Sequence, residues 1–286
     1  MVFLSAKSHA DGLIVPAYFY PGTGGPGGVG DGWAAMTSAA SQVPLVAVFN
    51  PNSGPLPGPA DPNYTTALTN LETAGGKVVA YIYTDDGRLP LSNLESQIST
   101  YNSQYGSLID GFYLDGMFVL PTTLSYYESL DSYIKGSFPS DLVIGNPGQP
   151  FLNGVSQSNY LSTANTFDIF EGSHSSFAAY PYSLTWFQSH PSSDFDNTIY
   201  GVPNADLSAD LNRAASLSAG WVYVTDQSGG NPYGQLPSYW DQEVAAIHSL
   251  NSAVPEPPSA GLLFLGLLVI APGPLLRRRS VKFINP

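Results

Sequence analysis

The stretch GFYLDGMFV, residues 111–119, decides how the chain folds. It is an apolar and aromatic run with one carboxylate, Asp115, in its middle. Burying an unpaired charge costs several kcal/mol, so a strand that carries one should leave the core at that point. We therefore predict a buried strand that ends near Asp115, with Asp115 at the mouth of a functional site.

Runs of the same character recur along the chain. The other seven are LIVPAYFY (13–20), PLVAVFN (44–50), KVVAYIYT (77–84), LVIGNPG (142–148), TFDIFEG (166–172), TIYGVPN (198–204) and GWVYVTD (220–226). Nearly continuous apolar strands are typical of a parallel sheet covered on both faces. Helical patterns lie between them, for example over 61–76, 91–106 and 236–251. Asp61 is placed to cap the first of these, with Pro62 at its first position.

Eight strand-helix units in about 240 residues predict an α/β fold, a (β/α)8 barrel that spans residues 12–251 as a single domain. The alternative is a doubly wound open sheet. The Gly-rich segment 22–32 follows the first strand, but it lacks the spacing of a dinucleotide-binding loop and the lysine of a P-loop. The barrel is therefore favoured.

Composition excludes several functions. The 286 residues include 22 acidic and 9 basic side chains, and four of the basic ones lie in the last ten positions, so residues 1–276 carry a net charge of −17. Nucleic acid phosphates would repel such a chain. Cysteine is absent, which removes thiolate nucleophiles and cysteine-based zinc sites. We expect no nucleic acid partner, no cofactor and no metal.

The C-terminal segment differs from the rest. VPEPPSAGLLFLGLLVIAPGPLLRRRS has a Pro-rich linker (252–258), then an apolar helix and three arginines (259–280). The apolar run is marginal for the roughly 20 residues that span a bilayer. The order of parts resembles the PEP-CTERM sorting signal, which implies export to the cell envelope or medium, transient anchoring in the inner membrane and recognition by membrane sorting machinery. No signal peptide is visible at the N-terminus, which conflicts with export.

In barrels of this type the active site lies at the carboxyl ends of the strands. The polar residues near those ends are candidates for sugar binding: Tyr18, Tyr20, Asn50, Asn52, Tyr83, Asp85, Tyr113, Asn146, His174, Asn204, Tyr223 and Asp226. Asp115 and Glu171 end the fourth and sixth strands as the candidate catalytic pair. Glycoside hydrolysis needs two such carboxylates, one holding a proton and one ionised. Period two places Tyr113 on the face of Asp115 and Ile169 on the face of Glu171. The alternative is that the aromatics fill the barrel and the acids cap helices.

Residues 12–251 resemble the spherulation-specific family 4 (spherulin-4) proteins, related to glycoside hydrolase family 135. The motifs are LIVPAYFY, FNPNSGP (49–55), GFYLDGM, NPG (146–148), FEGS (170–173) and VTDQSGGNPYGQLPSYW (224–240). The resemblance implies a barrel that cleaves α-1,4-linked N-acetylgalactosamine in an exopolysaccharide, with Asp115 and Glu171 at the positions of the family's acids.

One departure leaves the activity open. The family often has Asp-Glu at the end of the fourth strand, whereas Gly116 follows Asp115 here. The first hypothesis is an exported, monomeric polysaccharide hydrolase. The second is a carbohydrate-binding or matrix protein on the same barrel without catalysis, which Gly116 favours. A calcium-stabilised surface protein is a weaker third, because it rests on the acid excess and Asp85-Asp86 alone.

Overall fold

The computed structural model describes residues 12–149, 157–180 and 184–252. Eight parallel strands follow one another in chain order in one sheet. They are β1 Leu13–Ala17, β2 Leu45–Phe49, β3 Lys77–Tyr83, β4 Gly111–Asp115, β5 Leu142–Gly145, β6 Thr166–Ser173, β7 Phe195–Tyr200 and β8 Trp221–Thr225. The predicted (β/α)8 barrel is confirmed, and every predicted strand is present. The seventh begins three residues earlier than predicted.

Helices follow the strands and form the outer layer. In the described residues they are α1 Gly32–Ala40, α2 Pro62–Thr73, α3 Leu91–Tyr105, α4 Leu124–Ser137, α5 Gln157–Tyr160, α6 His174–Ala179, α7 Leu184–Phe187, α8 Leu207–Ser216 and α9 Trp240–Ser252. Asp61 caps α2 as predicted, since its carboxylate accepts from the backbone N–H groups of Asn63 and Tyr64. The helix then starts on Pro62, whose missing N–H costs nothing there.

Apolar side chains fill both sides of the sheet. Those facing the helices form one large buried cluster that includes Leu13, Val15, Leu45 and Ala47. Their sequence neighbours Ile14 and Val46 belong to a separate cluster inside the barrel. This inner cluster ends in the rings of Tyr81 and Tyr113, which stack with centroids 6.4 Å apart. Aliphatic side chains therefore fill the barrel interior near the amino ends of the strands, and aromatic rings fill it toward their carboxyl ends.

The barrel closes at the seam between β1 and β8 through few bonds. The Gly12 N–H donates to the Gly220 carbonyl at 3.1 Å, and the Val222 N–H donates to the Gly12 carbonyl at 3.2 Å. Farther along β8, the Val224 N–H donates instead to the buried carboxylate of Glu243 in α9, at 2.7 Å. The Glu243 side chain thus takes the place of a strand partner for the Val224 N–H, at the point where β1 and β8 are no longer hydrogen-bonded to each other.

Two predictions about the C-terminus concern residues that the structure does not describe. The linker (252–258), apart from Ser252, and the apolar helix with its arginines (259–280) lie outside the described residues. Within the described part of the chain, no helix has the length and apolar character needed to cross a membrane.

Candidate functional site

Strand β6 carries Glu171 into the barrel by way of a bulge. The pairing of β6 with β7 shifts register between Asp168 and Phe170. Ile169 packs with Phe167 in a cluster on the helix side, and Phe170 packs against Phe177 of α6 with centroids 4.9 Å apart. Two consecutive residues therefore face outward, which is what a bulge allows. The prediction that Ile169 shares the face of Glu171 is wrong for this reason, and Asp168 shares it instead.

Strand β4 ends at Asp115 because the next residue turns the chain. Gly116 has φ +63°, in the left-handed region that favours glycine. A Cβ atom there would lie 2.6 Å from the Tyr83 ring. Tyr83 stands opposite Asp115 in the β3–β4 register. A glutamate at position 116 would thus meet both backbone strain and the space that Tyr83 occupies.

Asp115 and Glu171, which we call the mouth pair, are joined by one amide. The Asn146 side chain, just after β5, donates to Asp115 Oδ1 at 2.9 Å and to Glu171 Oε2 at 2.7 Å. Since both oxygens bind the same nitrogen, they are less than about 6 Å apart. The Tyr81 hydroxyl donates to Asp115 Oδ2 at 2.5 Å, and the Tyr233 hydroxyl donates to Glu171 Oε1 at 2.7 Å. Every oxygen of the mouth pair therefore has a donor.

An open cavity of about 570 Å³ lies over Glu171 and over Tyr81, the hydrogen-bond partner of Asp115, which is not itself part of the lining. Its lining is polar and aromatic, and it consists of Tyr18, Asn50, Pro51, Asn52, Ser53, Tyr81, Glu171, Tyr200, Gly229, Gly230, Asn231, Pro232 and Tyr233. Amides and hydroxyls that can bind sugar hydroxyls thus surround flat rings that can contact sugar C–H groups. A second hollow of about 670 Å³, between α1 and α2, contains none of the predicted site residues.

The electrostatics of the cavity favour one protonated acid. Burial raises the pKa of Glu171 above its ordinary value, and the negative charge of Asp115 raises it further. The hydrogen bonds from Asn146 and Tyr233 act in the opposite direction because they stabilise the ionised form. The Tyr81 hydroxyl keeps its proton, since burial and the charge of Asp115 raise its pKa. Tyr81 is therefore a hydrogen-bond donor to Asp115.

The structure brings a subset of the predicted residues together. Tyr18, Asn50 and Asn52 line the cavity, while Asn146 lies beside it at 4% exposure. Tyr113 is buried inside the barrel below them. Tyr83 lies at the rim with 43% of its surface exposed. Their roles in sugar binding stay predictions.

The other predicted residues point elsewhere. The Tyr20 hydroxyl donates to Asp61 at 3.0 Å. Asp85 pairs with Arg88 at 2.7 Å, and Asp226 accepts from the Ser238 N–H and hydroxyl. We find three further predicted residues outside the cavity lining: His174, Asn204 and Tyr223. Their assignment to sugar binding gains no support from their positions.

His174 shows why position along the chain misleads. It follows β6 directly, but its Nδ1 lies 2.7 Å from Asp210 Oδ2 and its Nε2 lies 3.6 Å from Asp206 Oδ2. Both acids come from α8 and the turn before it. The ring is thus oriented toward the outer layer by residues more than 30 positions away.

Two residues of the network were not on the predicted list. Tyr81 lies two positions before Tyr83 on β3 and so faces the interior, which the alternation of the strand indicates. Tyr233 comes from the loop after β8, within the segment NPYGQLP. Strand-end reasoning cannot find a loop residue of this kind. The sequence points to Tyr233 only because it lies in the segment 224–240, one of the motifs on which the family resemblance rests.

A metal site is not evident. In residues 12–149, 157–180 and 184–252, no group of three or more His, Cys, Asp or Glu side chains is arranged to hold a metal ion. The carboxylates of the mouth pair are instead bound by an amide and two phenols.

These features define a class of protein, a parallel (β/α)8 barrel with two hydrogen-bonded acids at its mouth. The model of spherulation-specific family 4 matches residues 12–247, and the chain belongs to this family. Spherulin-4 of Physarum polycephalum is 32% identical over 251 residues, which cover 84% of this chain and 70% of that relative. Among solved structures, Aspergillus clavatus Sph3 in complex with GalNAc superposes with a TM-score of 0.68 at 23% identity. That match covers 85% of this chain and 99% of Sph3.

Proposed function

We propose that the protein is a glycoside hydrolase that acts on an amino-sugar exopolysaccharide of the α-1,4-linked N-acetylgalactosamine type. The observation that carries the proposal is the mouth pair, two acids held by one amide, of which Glu171 lines an open polar cavity. Family membership and the GalNAc bound to Sph3 support the choice of sugar. The C-terminal segment that resembles the PEP-CTERM sorting signal supports export to the cell envelope or medium.

Glu171 is the proton donor in this mechanism. Its pKa is raised by burial, so it can retain a proton and give it to the glycosidic oxygen as the bond from that oxygen to the sugar carbon breaks. Asp115 then bonds to that carbon from the other side. Water displaces Asp115 in a second step, and Glu171 takes the proton from the water.

The spacing of the mouth pair favours retention of configuration. Retaining glycosidases hold their two carboxyl groups about 5–5.5 Å apart, and inverting ones about 6.5–9.5 Å apart. The shared Asn146 nitrogen, 2.9 Å from one oxygen and 2.7 Å from the other, is consistent with the shorter class. Nuclear magnetic resonance of the first product formed should therefore show the anomer of the substrate linkage.

A second candidate function is carbohydrate binding without cleavage. Gly116 and the ring of Tyr83 occupy the position where relatives often carry a second acid. If that acid were required, the cavity would hold sugars and leave them intact. The tyrosines and amides of the lining suit this role equally well.

Oligomers of N-acetylgalactosamine separate the two candidates. Purified protein is incubated with them, and new reducing ends are measured for wild type and Asp115→Asn. The hydrolase proposal predicts product from wild type and at least roughly 10²-fold less from the variant. No product from either, with oligomer binding retained in calorimetry, would establish the binding protein.

A further inference from the structure

Three tyrosine rings lie side by side at the mouth of the barrel. Tyr18 follows the last residue of β1, and its ring meets the Tyr81 ring edge-on with centroids 5.8 Å apart and the Tyr233 ring edge-on with centroids 5.6 Å apart. Its backbone N–H also donates to the Tyr233 carbonyl at 3.3 Å. Tyr81 and Tyr233 are the donors to Asp115 and Glu171. The Tyr18 ring is therefore fixed between the two phenols that hold the mouth pair.

The hydroxyls of these three rings differ in what they bind. Those of Tyr81 and Tyr233 donate to carboxylates of the protein. The Tyr18 hydroxyl makes no hydrogen bond to any residue that the structure describes, and its oxygen is not enclosed, because the half-buried side chain lines the open cavity beside Glu171. This hydroxyl is therefore free to bind a ligand that enters the cavity.

The electrostatics of the mouth make Tyr18 a hydrogen-bond donor rather than an anion. Burial raises the pKa of its phenol well above the ordinary value, and the charges of Asp115 and Glu171 raise it further. That these two acids act most strongly on the phenol agrees with its position beside them. The hydroxyl therefore keeps its proton near neutral pH and can donate a hydrogen bond to an oxygen acceptor.

The reacting sugar would lie against this hydroxyl. In the proposed hydrolysis the anomeric carbon is next to Asp115 and the glycosidic oxygen is next to Glu171, so the sugar spans the gap between the two acids. Tyr81 and Tyr233 flank that gap, and Tyr18 lies between them on the β1 side. Hydroxyl, ring and acetamido oxygens of a sugar all accept hydrogen bonds from a phenol.

We propose that the Tyr18 hydroxyl donates a hydrogen bond to an oxygen of the sugar held between Asp115 and Glu171. Tyr81 and Tyr233 then hold the acids, and Tyr18 holds the substrate. The hydrogen bond forms when the sugar binds and is kept in the transition state, so Tyr18 contributes to affinity rather than to proton transfer. The proposal rests on the proposed function for the identity of the sugar, and it applies to a binding protein as well as to a hydrolase.

Removal of one oxygen atom tests the proposal. Tyr18→Phe deletes the hydroxyl and keeps the ring that packs between Tyr81 and Tyr233, so the variant should fold as wild type does. We expect it to bind N-acetylgalactosamine and its oligomers about three- to tenfold more weakly than wild type in calorimetry. The matched control is Tyr101→Phe, because Tyr101 of α3 carries a buried hydroxyl without a partner among the described residues and lies in the helix-side cluster. The control should bind as tightly as wild type.

Kinetics distinguish a hydroxyl that contacts the sugar from one that acts through the acids. If Tyr18 holds the sugar, Tyr18→Phe raises KM together with the dissociation constant and leaves kcat and its pH profile unchanged. If Tyr18 acted instead by tuning Asp115 or Glu171, the pH profile of kcat would shift while the affinity stayed the same. That second result would show the proposal to be wrong.

Nuclear magnetic resonance observes the hydroxyl directly. In protein labelled with ¹³C at the tyrosine Cζ, the resonance that is missing in Tyr18→Phe should move when N-acetylgalactosamine is added, whereas that of Tyr101 should not. A Tyr18→Phe variant that binds as tightly as wild type would overturn the proposal. Binding without cleavage by wild type would contradict the hydrolase alone, since the two affinities still decide the role of Tyr18. Failure of wild type to bind any of these sugars would contradict both.

Discussion

The mouth pair and a deeper pair of fully buried acids, Asp168 of β6 and Asp196 of β7, are the same kind of group in two surroundings a few residues apart. Each oxygen of Asp115 and Glu171 accepts a hydrogen bond from an amide or a phenol. In the deeper pair, Asp168 has the backbone N–H of Phe170 and the Thr198 side chain, whereas Asp196 has the backbone N–H of Asn197 and no side-chain donor among the described residues. Donors decide which acids can carry charge in a barrel interior, so the mouth pair is equipped for chemistry, whereas burial raises the pKa of both deeper acids and favours their neutral forms.

The largest expected effect separates the two pairs by activity. Glu171→Gln removes the proton donor, and we expect cleavage of N-acetylgalactosamine oligomers to fall roughly 10²–10⁴-fold. Asp226→Asn is the matched control, since the Asp226 carboxylate accepts from Ser238 and makes no hydrogen bond to the mouth pair or its donors. It should keep most of the activity. Equal losses in the two variants would mean that Glu171 has no special role.

The second effect concerns the donor that supports the mouth pair. Asn146→Leu keeps much of the side-chain volume but removes the amide from both acids, which we expect to lower the free energy of unfolding by about 2 kcal/mol at pH 7. Without that donor the pKa of Glu171 rises further, so the loss should shrink toward pH 4, where Glu171 holds its proton. Urea unfolding of wild type and variant at pH 7 and at pH 4 measures this loss in the free energy of unfolding. A loss that did not depend on pH would show that only packing had changed.

The smallest effect tests the turn after Asp115. Gly116→Ala should lower the free energy of unfolding by about 1–2 kcal/mol, because alanine is strained at φ +63° and its Cβ approaches the Tyr83 ring. In a Tyr83→Ala background only the backbone part should remain. If the cost were the same in both backgrounds, Tyr83 would not limit what fits at position 116.

Much of this arrangement follows from local sequence. Apolar runs of strand length predict all eight strands, and the acids at the end of β4 and near the end of β6 predict the mouth pair. Both features depend on residues within about ten positions of each other.

The remainder depends on contacts that local pattern does not contain. The bulge in β6 shifts one residue and places Asp168 below Glu171, yet TFDIFEG reads as a regular strand. Tyr233 reaches Glu171 across 62 positions. His174 turns away because α8 and the turn before it supply one carboxylate each. Each of these is settled by tertiary packing.

The residue after Asn146 gives the site a chemical durability. Asparagine deamidates to aspartate mainly when the backbone nitrogen of the next residue attacks the side-chain amide. The residue after Asn146 is Pro147, which has no N–H. That route is therefore closed at the one amide that both acids share. Deamidation would place a third carboxylate between them, so the Asn-Pro order protects the protein against slow loss of its site.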